Sequence, residues 1–274
     1  MMMEQLPAAT AMGRVDLSVA DLERSLDYYR HSIGLDVLAE SGSEATLGVG
    51  TTELLRLSEE PGARPADGYS GLFHFALLVP DRVELGRWLA HAARRRVALT
   101  GASDHFVSEA LYLRDPDHHG IEIYADRPRE LWEGRVDRMG TWPLDLDDLL
   151  HAVPEGEDGQ FAGLPDGTTM GHVHLRVAEV DETVGFYRDL LGFDLVAQLG
   201  PQAAFLSAGG YHHHLGGNTW ESLGAVQAPE GTARLRSFTI VLPDDASLAA
   251  AASRVGGTEA QDPSGNRLVL AATA

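Results

Sequence analysis

"MGRVDLSVADLERSLDYYRHSIGLDVL" at residues 12–38 aligns without a gap with "MGHVHLRVAEVDETVGFYRDLLGFDLV" at residues 170–196. Each stretch begins with alternating apolar residues, which is typical of a half-buried strand, and continues at helical spacing up to a glycine. The two stretches share glycines, apolar strand residues and a tyrosine at equal spacing: Gly13/Gly171, Val15/Val173, Leu17/Leu175, Tyr29/Tyr187 and Gly34/Gly192. The chain therefore contains a duplicated strand–helix–strand segment.

A second kind of segment follows each copy. "FHFALLVPD" (73–81) aligns with "SFTIVLPDD" (237–245), and "DPDHHGIEIY" (115–124) aligns with "DPSGNRLVL" (262–270). The pattern predicts four βαβββ modules, here called the first to fourth units, at about 12–60, 70–125, 170–220 and 234–272.

The segment between the second and third units differs from both in composition. Residues 126–169 are rich in charge, proline and glycine, which predicts a connector with one short helix near 144–150. We therefore expect an N-terminal pair of units at 10–128, a linker at 129–169 and a C-terminal pair at 170–274.

Composition excludes several classes of function. The chain has 41 acidic and 21 basic residues and a net charge of −20, which disfavours nucleic acids and anionic membranes as partners. No stretch approaches the ~20 apolar residues that a membrane span needs. Cysteine is absent, which excludes disulfides, thiolate ligands and cysteine nucleophiles. With no signal-peptide pattern at residues 1–13, we expect a cytoplasmic protein.

The units, with "FYRDLLGF" (186–193) in a helix and "DPDHHG" (115–120) in a turn, resemble those of the vicinal-oxygen-chelate superfamily. This superfamily includes glyoxalase I, fosfomycin- and bleomycin-resistance proteins and extradiol dioxygenases, and the chain is most similar to two-domain proteins of the catechol 2,3-dioxygenase type. The resemblance implies an α+β fold in which four βαβββ modules form two cup-shaped, mostly antiparallel sheets. Function must still be argued from the site, because this fold carries several chemistries.

The resemblance also implies where a divalent metal would bind. Its ligands come from a histidine early in a unit's first strand and a glutamate in a unit's last strand. The second unit has His74 and Glu122 at these positions, and the third has His172, whereas Arg14 and Ser237 replace the histidine in the first and fourth units. Two imidazoles and one carboxylate suit Fe(II), with Mn(II) or Zn(II) as alternatives.

The distribution of these ligands predicts how the units pair. If the first unit paired with the second, and the third with the fourth, neither cup would hold His74, Glu122 and His172 together. We therefore expect the active cup to form between the second and third units, with the first unit paired to the fourth.

The segment "FLSAGGYHHHLGG" (205–217) resembles an "FL…HH" segment of extradiol dioxygenases. The resemblance implies that His213 is an acid/base catalyst. We expect the histidine run to lie in the last strand of the third unit, with His212 and His214 on the strand face opposite to His213.

A second segment, "SDHFVSEALYL" (103–113), resembles the stretch that precedes the glutamate strand in the same enzymes. It implies that His105 is a hydrogen-bond donor in the pocket and that Tyr112 is the partner of a substrate hydroxyl. His174 shares the strand face of His172, and Trp220 is expected near the pocket mouth.

These residues favour a metal-dependent extradiol dioxygenase that cleaves a small catechol-like aromatic with O2. A catechol must lose a proton to chelate the metal, and a histidine can accept it. One alternative is a glyoxalase-type isomerase or lyase, which needs a fourth protein ligand such as His214. The other is a non-catalytic binding or resistance protein with no metal. No nucleic-acid or membrane partner is expected, and the sequence allows a homodimer.

Overall fold

A computed structural model describes residues 5–156 and 161–273. The first unit has the predicted strand–helix–strand–strand–strand order. Its elements, in chain order, are β1 (Ala11–Val19), α1 (Leu22–Tyr28), a π-helical turn (Tyr29–Ile33), β2 (Asp36–Ser41), β3 (Glu44–Val49) and β4 (Thr52–Glu59).

The second unit repeats this order after a two-residue strand. Its elements are β5 (Arg64–Pro65), β6 (Gly71–Leu78), α2 (Arg82–Arg95), β7 (Leu99–Asp104), β8 (Ser108–Arg114) and β9 (Gly120–Asp126). The connecting segment contains α3 (Arg129–Trp132), a 3-10 turn (Val136–Arg138), β10 (Trp142–Pro143) and α4 (Leu146–His151). The short helix expected near 144–150 is confirmed by α4.

The third and fourth units complete the chain. The third consists of β11 (Thr169–Arg176), α5 (Val180–Val184), a π-helical turn (Gly185–Leu191), β12 (Asp194–Gln198), β13 (Ala203–Ser207) and β14 (Leu215–Asn218). The elements after it are β15 (Thr232–Ala233), β16 (Leu235–Leu242), α6 (Asp245–Val255), β17 (Glu259–Gln261) and β18 (Arg267–Ala272). None of the helices in the described part of the chain is long and apolar enough to cross a membrane.

The prediction of four strands in every unit is wrong for the fourth. That unit has only β16, β17 and β18 around α6. Only the residues 256–261 separate the end of α6 from the Asp262-Pro263 turn, whereas 96–114 separate α2 from the Asp115-Pro116 turn in the second unit. The shorter stretch has room for one strand instead of two, since a strand needs about five residues.

The strands form two large mixed, mostly antiparallel sheets and one short parallel pair, β5–β15. The seven-stranded sheet joins the first and fourth units in the order β17-β18-β16-β1-β4-β3-β2. The nine-stranded sheet joins the linker strand and the second and third units in the order β10-β7-β8-β9-β6-β11-β14-β13-β12. The central contact of the nine-stranded sheet is the antiparallel pair β6–β11.

Consecutive units are linked by side chains although they do not share a sheet. The Tyr29 hydroxyl of the first unit donates a hydrogen bond to Asp115 of the second at 2.8 Å. The equivalent Tyr187 of the third unit donates to Asp262 of the fourth at 3.1 Å. All four groups are buried. Tyr29 is the one donor to Oδ2 of Asp115 among the described residues, whereas Oδ2 of Asp262 also accepts from Nδ2 of Asn266 at 2.9 Å.

One hydrophobic cluster runs through all four units and supports both sheets. It includes Val15, Phe75, Val173 and Phe238, which come from the first strand of each unit and are fully buried. The duplicated glycines end the two π-helical turns with φ of +96° at Gly34 and +104° at Gly192, a conformation that favours glycine. The repeated sequence therefore specifies the same strand–helix–turn geometry twice.

Candidate metal centre and cavity

Strand register brings the predicted ligands together in the nine-stranded sheet. Glu122 on β9 lies opposite Ala76 on β6, and Ala76 lies opposite His172 on β11. Side chains in such a cross-strand row share one face of the sheet. Because Ala76 is small, the two longer side chains can meet above it. His74, two residues before Ala76, projects from the same face of β6.

The three candidate ligands form a close, buried cluster. Nε2 of His74 lies 3.0 Å and Nε2 of His172 lies 3.1 Å from the same oxygen, Oε2 of Glu122. The two Nε2 atoms are 3.3 Å apart. Ligands at right angles around an ion about 2.1 Å away lie about 3.0 Å apart, and tetrahedral ligands about 3.4 Å apart. The spacing lies between these two values, so one ion could contact all three atoms, and this is the only such cluster found among the described residues.

The pKa shifts of Glu122 and His172 favour the forms that bind a cation. Burial alone would raise the pKa of Glu122, but the charge of His172 and hydrogen bonds from both histidines lower it well below its usual range. Burial also lowers the pKa of His172. A carboxylate and neutral imidazoles are the forms that ligate metals. Nδ1 of His172 is buried with no hydrogen-bond partner among the described residues.

His105 and Tyr112 form a hydrogen-bonded pair beside the cluster. Tyr112 lies opposite Glu122 in the register of β8 and β9, so it extends the row of ligands. Its hydroxyl is 2.7 Å from Nε2 of His105, whose Nδ1 is 2.6 Å from the carbonyl oxygen of Gly140. In neutral His105 the ring proton is therefore on Nδ1, and Tyr112 donates to Nε2. Burial, followed by the charge of Glu122, raises the pKa of Tyr112 well above its usual range.

The loop that carries His105 has an uncommon backbone. Phe106 has φ of +69°, a conformation that a bulky residue seldom adopts. Its amide donates to Asp104, which is ion-paired with Arg127 at 2.6 Å. The guanidinium of Arg138, from the linker, lies over the Phe106 ring at 4.3 Å. These contacts fix the loop and attach the linker to it.

His213 lies next to the cluster, and its ring centroid is 4.2 Å from that of His172. The expectation that the histidine run lies within a strand is wrong. Residues 211–214 form an irregular bend, and β14 begins only at Leu215. Two consecutive positive-φ glycines, Gly209 and Gly210, turn the chain before this bend. Side chains in the bend do not alternate, so His212 and His213 contact each other through Nδ1 atoms 2.8 Å apart.

A carboxylate sets the tautomers of this histidine pair. Nε2 of His212 lies 2.9 Å from Oδ1 of Asp126, so His212 donates from Nε2 and its Nδ1 is an acceptor. His213 must then carry its proton on Nδ1, which leaves its Nε2 without a proton. Burial, and then the proximity of His172 and His212, lower the pKa of His213 well below its usual range. The ring is therefore neutral at physiological pH.

His214 lies apart from the metal cluster. Its Nδ1 accepts a hydrogen bond from the backbone amide of Ala208 at 3.2 Å, and it is not one of the three clustered ligands. Among the described residues no fourth protein ligand joins His74, Glu122 and His172.

The cluster lies in a cavity of about 510 Å³ whose lining includes all six predicted site residues. Several lining residues were not predicted from the sequence. They come from separate segments: Phe73, Thr100, Ser103, Met139, Gly140, Thr141, Leu199 and Phe205. Trp220, which was expected near the pocket mouth, lines the cavity and is 51% exposed. The linker is thus part of the cavity wall as well as a connection.

The equivalent positions of the seven-stranded sheet hold an ion-pair network. Arg14, at the position that corresponds to His172, donates to Asp16 at 2.7 Å and to Glu53 at 2.6 Å. Ser237 donates to Asp16 at 3.4 Å. A guanidinium therefore balances the carboxylates there.

Comparison with known proteins identifies relatives over most of the chain. The family model described as Glyoxalase/Bleomycin resistance protein/Dioxygenase superfamily matches residues 11–123 and 169–270. Over 255 residues the chain is 44% identical to a catechol-2,3-dioxygenase of Bacillus subtilis, covering 90% of this chain and 87% of that protein.

Solved structures show the same fold at low sequence identity. A Bacillus subtilis protein described as a candidate dioxygenase superposes with a TM-score of 0.64 at 14% identity, over 98% of this chain and 86% of its own. Glyoxalase I from Zea mays superposes with a TM-score of 0.57 at 18% identity, over 96% of this chain and 92% of its own.

Proposed function

Because the chain belongs to the Glyoxalase/Bleomycin resistance protein/Dioxygenase superfamily, we propose that it is a metal-dependent extradiol dioxygenase that cleaves a catechol-like aromatic with O2. The observation that carries this proposal is the arrangement of His213 and Tyr112 around the cluster of His74, Glu122 and His172. One cavity thus combines a facial ligand set, an unprotonated imidazole and a hydroxyl that can orient a substrate oxygen.

His74, His172 and Glu122 would hold the metal, and the proposed ion is Fe(II). The donor set supports this choice, because two histidines and one carboxylate are typical ligands of non-haem iron. Mn(II) suits the same set. A bound ion would supply a template on which substrate and O2 meet, together with the electrons that pass between them. All three residues line the cavity, so an ion held by them would be within reach of a substrate there.

His213 is proposed to take a proton from the catechol. Its Nε2 has no proton in the tautomer set by Asp126 and His212, and its lowered pKa keeps it neutral before substrate binds. A neutral imidazole can accept the hydroxyl proton and later return it to a leaving oxygen. The transfer leaves the catechol oxygen as an anion, and the protonated His213 balances that charge inside the buried cavity.

Tyr112 is proposed to orient the second hydroxyl of the substrate. Because the Tyr112 proton is donated to His105, the lone pairs of its oxygen remain available to accept from a substrate hydroxyl. Nδ1 of His105 is fixed by the carbonyl of Gly140, which prevents rotation of the ring.

The glyoxalase-type alternative needs a fourth protein ligand, and none joins the cluster among the described residues. The similarity to glyoxalase I from Zea mays, at 18% identity, concerns the fold alone.

Location in the cytoplasm also belongs to the proposal, and the absence of cysteine supports it. A homodimer stays a prediction.

The proposal is tested by purifying the protein without oxygen, measuring its metal content and then adding catechol and air. We expect iron, oxygen uptake and a coloured ring-opened product. His213→Ala should lower the rate by about 10²–10⁴-fold, as expected for loss of a general base, while metal content is kept. His31→Ala, at an exposed histidine, is the matched control. Abundant zinc without oxygen uptake would favour the isomerase, and absence of metal the binding protein.

A further inference from the structure

One wall of the cavity is built from aromatic rings that the proposed chemistry does not use. Phe73, His174, Phe205 and Trp220 are here called the aromatic wall, and all four line the cavity. The centroid of Phe73 is 5.3 Å from that of His174 and 5.4 Å from that of Trp220. Phe205 is 5.6 Å from His174. The wall is therefore one continuous aromatic surface.

The aromatic wall begins at the catalytic groups and ends at the cavity mouth. At its inner end Phe73 is 5.3 Å from His74, and Phe205 is 5.2 Å from His213, measured between ring centroids. At its outer end Trp220 is half-exposed. A molecule whose oxygens meet the ligand cluster would thus extend any substituent along this surface.

Strand register holds the aromatic wall in place. His74, His174, Gly216 and Phe205 lie opposite one another in a single row across four strands. A Cβ atom at Gly216 would lie 2.7 Å from Nδ1 of His174, so only glycine leaves room for that ring. The backbone amide of Trp220 donates to the side chain of Asn218 at the end of β14. The wall is thus built into the sheet.

The charges around the cavity disfavour an anionic substituent. Arg114 is the one Lys or Arg among the described lining residues, and its guanidinium is 3.3 Å from Asp67 and 3.9 Å from Glu221. A carboxylate against the aromatic wall would lose its hydration without gaining an ionic partner there, which is unfavourable. An aryl or alkyl group would instead gain dispersion and stacking contacts.

We propose that the aromatic wall binds an uncharged aryl or alkyl substituent on the catechol ring, so that the substrates are apolar substituted catechols. This inference rests on the proposed function, because the ligand cluster must hold the two ring oxygens. The cavity supports it by size: about 510 Å³ lies within the range of sites for ligands much larger than one six-membered ring.

The test measures binding of catechol, a phenylcatechol and a catechol carboxylate to the metal-loaded protein by calorimetry without oxygen, and kcat/KM for each in air. We expect phenylcatechol to bind about tenfold or more tightly than catechol, and the carboxylate more weakly than either. Trp220→Ala should reduce the preference for phenylcatechol over catechol about tenfold, and Trp220→Phe should retain most of it. Leu223→Ala, at a 73% exposed residue outside the cavity lining, should change nothing.

Equal affinities for phenylcatechol and catechol, or a preference that Trp220→Ala does not reduce, would overturn the inference. So would tight binding of the carboxylate that is lost in Arg114→Gln, because the substituent would then be anionic. These outcomes are separate from failure of the proposed function. If the protein cleaves all the catechols equally well, the substrate preference is refuted and the dioxygenase proposal stands. If it binds phenylcatechol preferentially in calorimetry but cleaves none of them, the dioxygenase proposal alone is refuted.

Discussion

His212 and His213, neighbours in the chain, contact each other through Nδ1 atoms that are 2.8 Å apart. The other side of His212 is bonded to Asp126, at the end of the strand that carries Glu122. A carboxylate that does not line the cavity therefore determines that Nε2 is the unprotonated nitrogen of His213.

Asp126→Ala should lower kcat by about ten- to a hundredfold, because His212 would lose the acceptor that fixes its tautomer. Metal content should stay at the wild-type level, since Asp126 is not one of the ligands. The measurement is a pH–rate profile beside a metal analysis. An unchanged pH–rate profile would show that the tautomer of His213 does not depend on Asp126.

Glu122→Gln should lower metal affinity by at least about a hundredfold, because it removes the one anionic ligand from a buried site. The checks are metal content after dialysis and the rise in Tm on adding Fe(II) or Mn(II), which bound metal produces by mass action. Glu53→Gln, at a glutamate on the last strand of the first unit, is the control and should keep full metal content. Equal metal affinity in both variants would refute the site.

Ala76→Val should weaken metal binding and lower the free energy of unfolding by about 1–3 kcal/mol. Ala76 is fully buried between Glu122 and His172 in the cross-strand row, so added methyl groups must push one ligand aside. Ala45→Val, at a buried alanine of the other sheet, should affect stability alone. Urea unfolding and metal titration together separate the two effects.

Stability should fall in mild acid because of His214. Burial lowers the pKa of its ring from 6.5 to about 4. Above pH 6.5 the ring is neutral in both the folded and the unfolded protein. Between pH 6.5 and pH 4 the ring binds a proton in the unfolded protein but not in the folded one. The free energy of unfolding therefore decreases as the pH falls, by about 2 kcal/mol from this group at about pH 5.

The measurement for His214 is urea unfolding at about pH 7 and about pH 5 in wild type and His214→Asn, whose amide oxygen can still accept from Ala208. The variant should show the smaller decrease in acid. His31→Asn, at an exposed histidine, should behave as wild type. An equal decrease in wild type and His214→Asn would contradict the assignment.

Tyr29→Phe should lower the free energy of unfolding by about 1–3 kcal/mol, because Asp115 would keep its buried carboxylate and lose a donor. Tyr187→Phe should have a smaller effect, because the same oxygen of Asp262 still accepts from Nδ2 of Asn266. Urea unfolding of both variants is the measurement, and we expect lower midpoint concentrations with unchanged m values. No loss of stability in either variant would show that the duplicated tyrosines do not link consecutive units.

Features that depend on local pattern were predictable. The duplicated stretches at 12–38 and 170–196 indicated strand, helix and glycine stop, and the structure repeats all three. The sequence also named His74, Glu122 and His172, because the resemblance assigns ligands to the first and last strands of a unit, and the structure brings these three side chains together. The predicted number of strands was wrong for the fourth unit, since its shorter sequence holds one strand fewer.

Features that depend on strand pairing required the tertiary structure. The register of β11, β14 and β13 places His174 beside Phe205. Phe73 on β6 and Trp220, which follows β14, complete the aromatic wall from other parts of the chain. The histidine run lies in a bend, because two positive-φ glycines interrupt the alternation that its neighbours suggest. Sequence alone determined which residue types each unit contributes, since periodicity is a local property. Register and turn geometry decided which of them meet, because those contacts join residues as much as 221 positions apart.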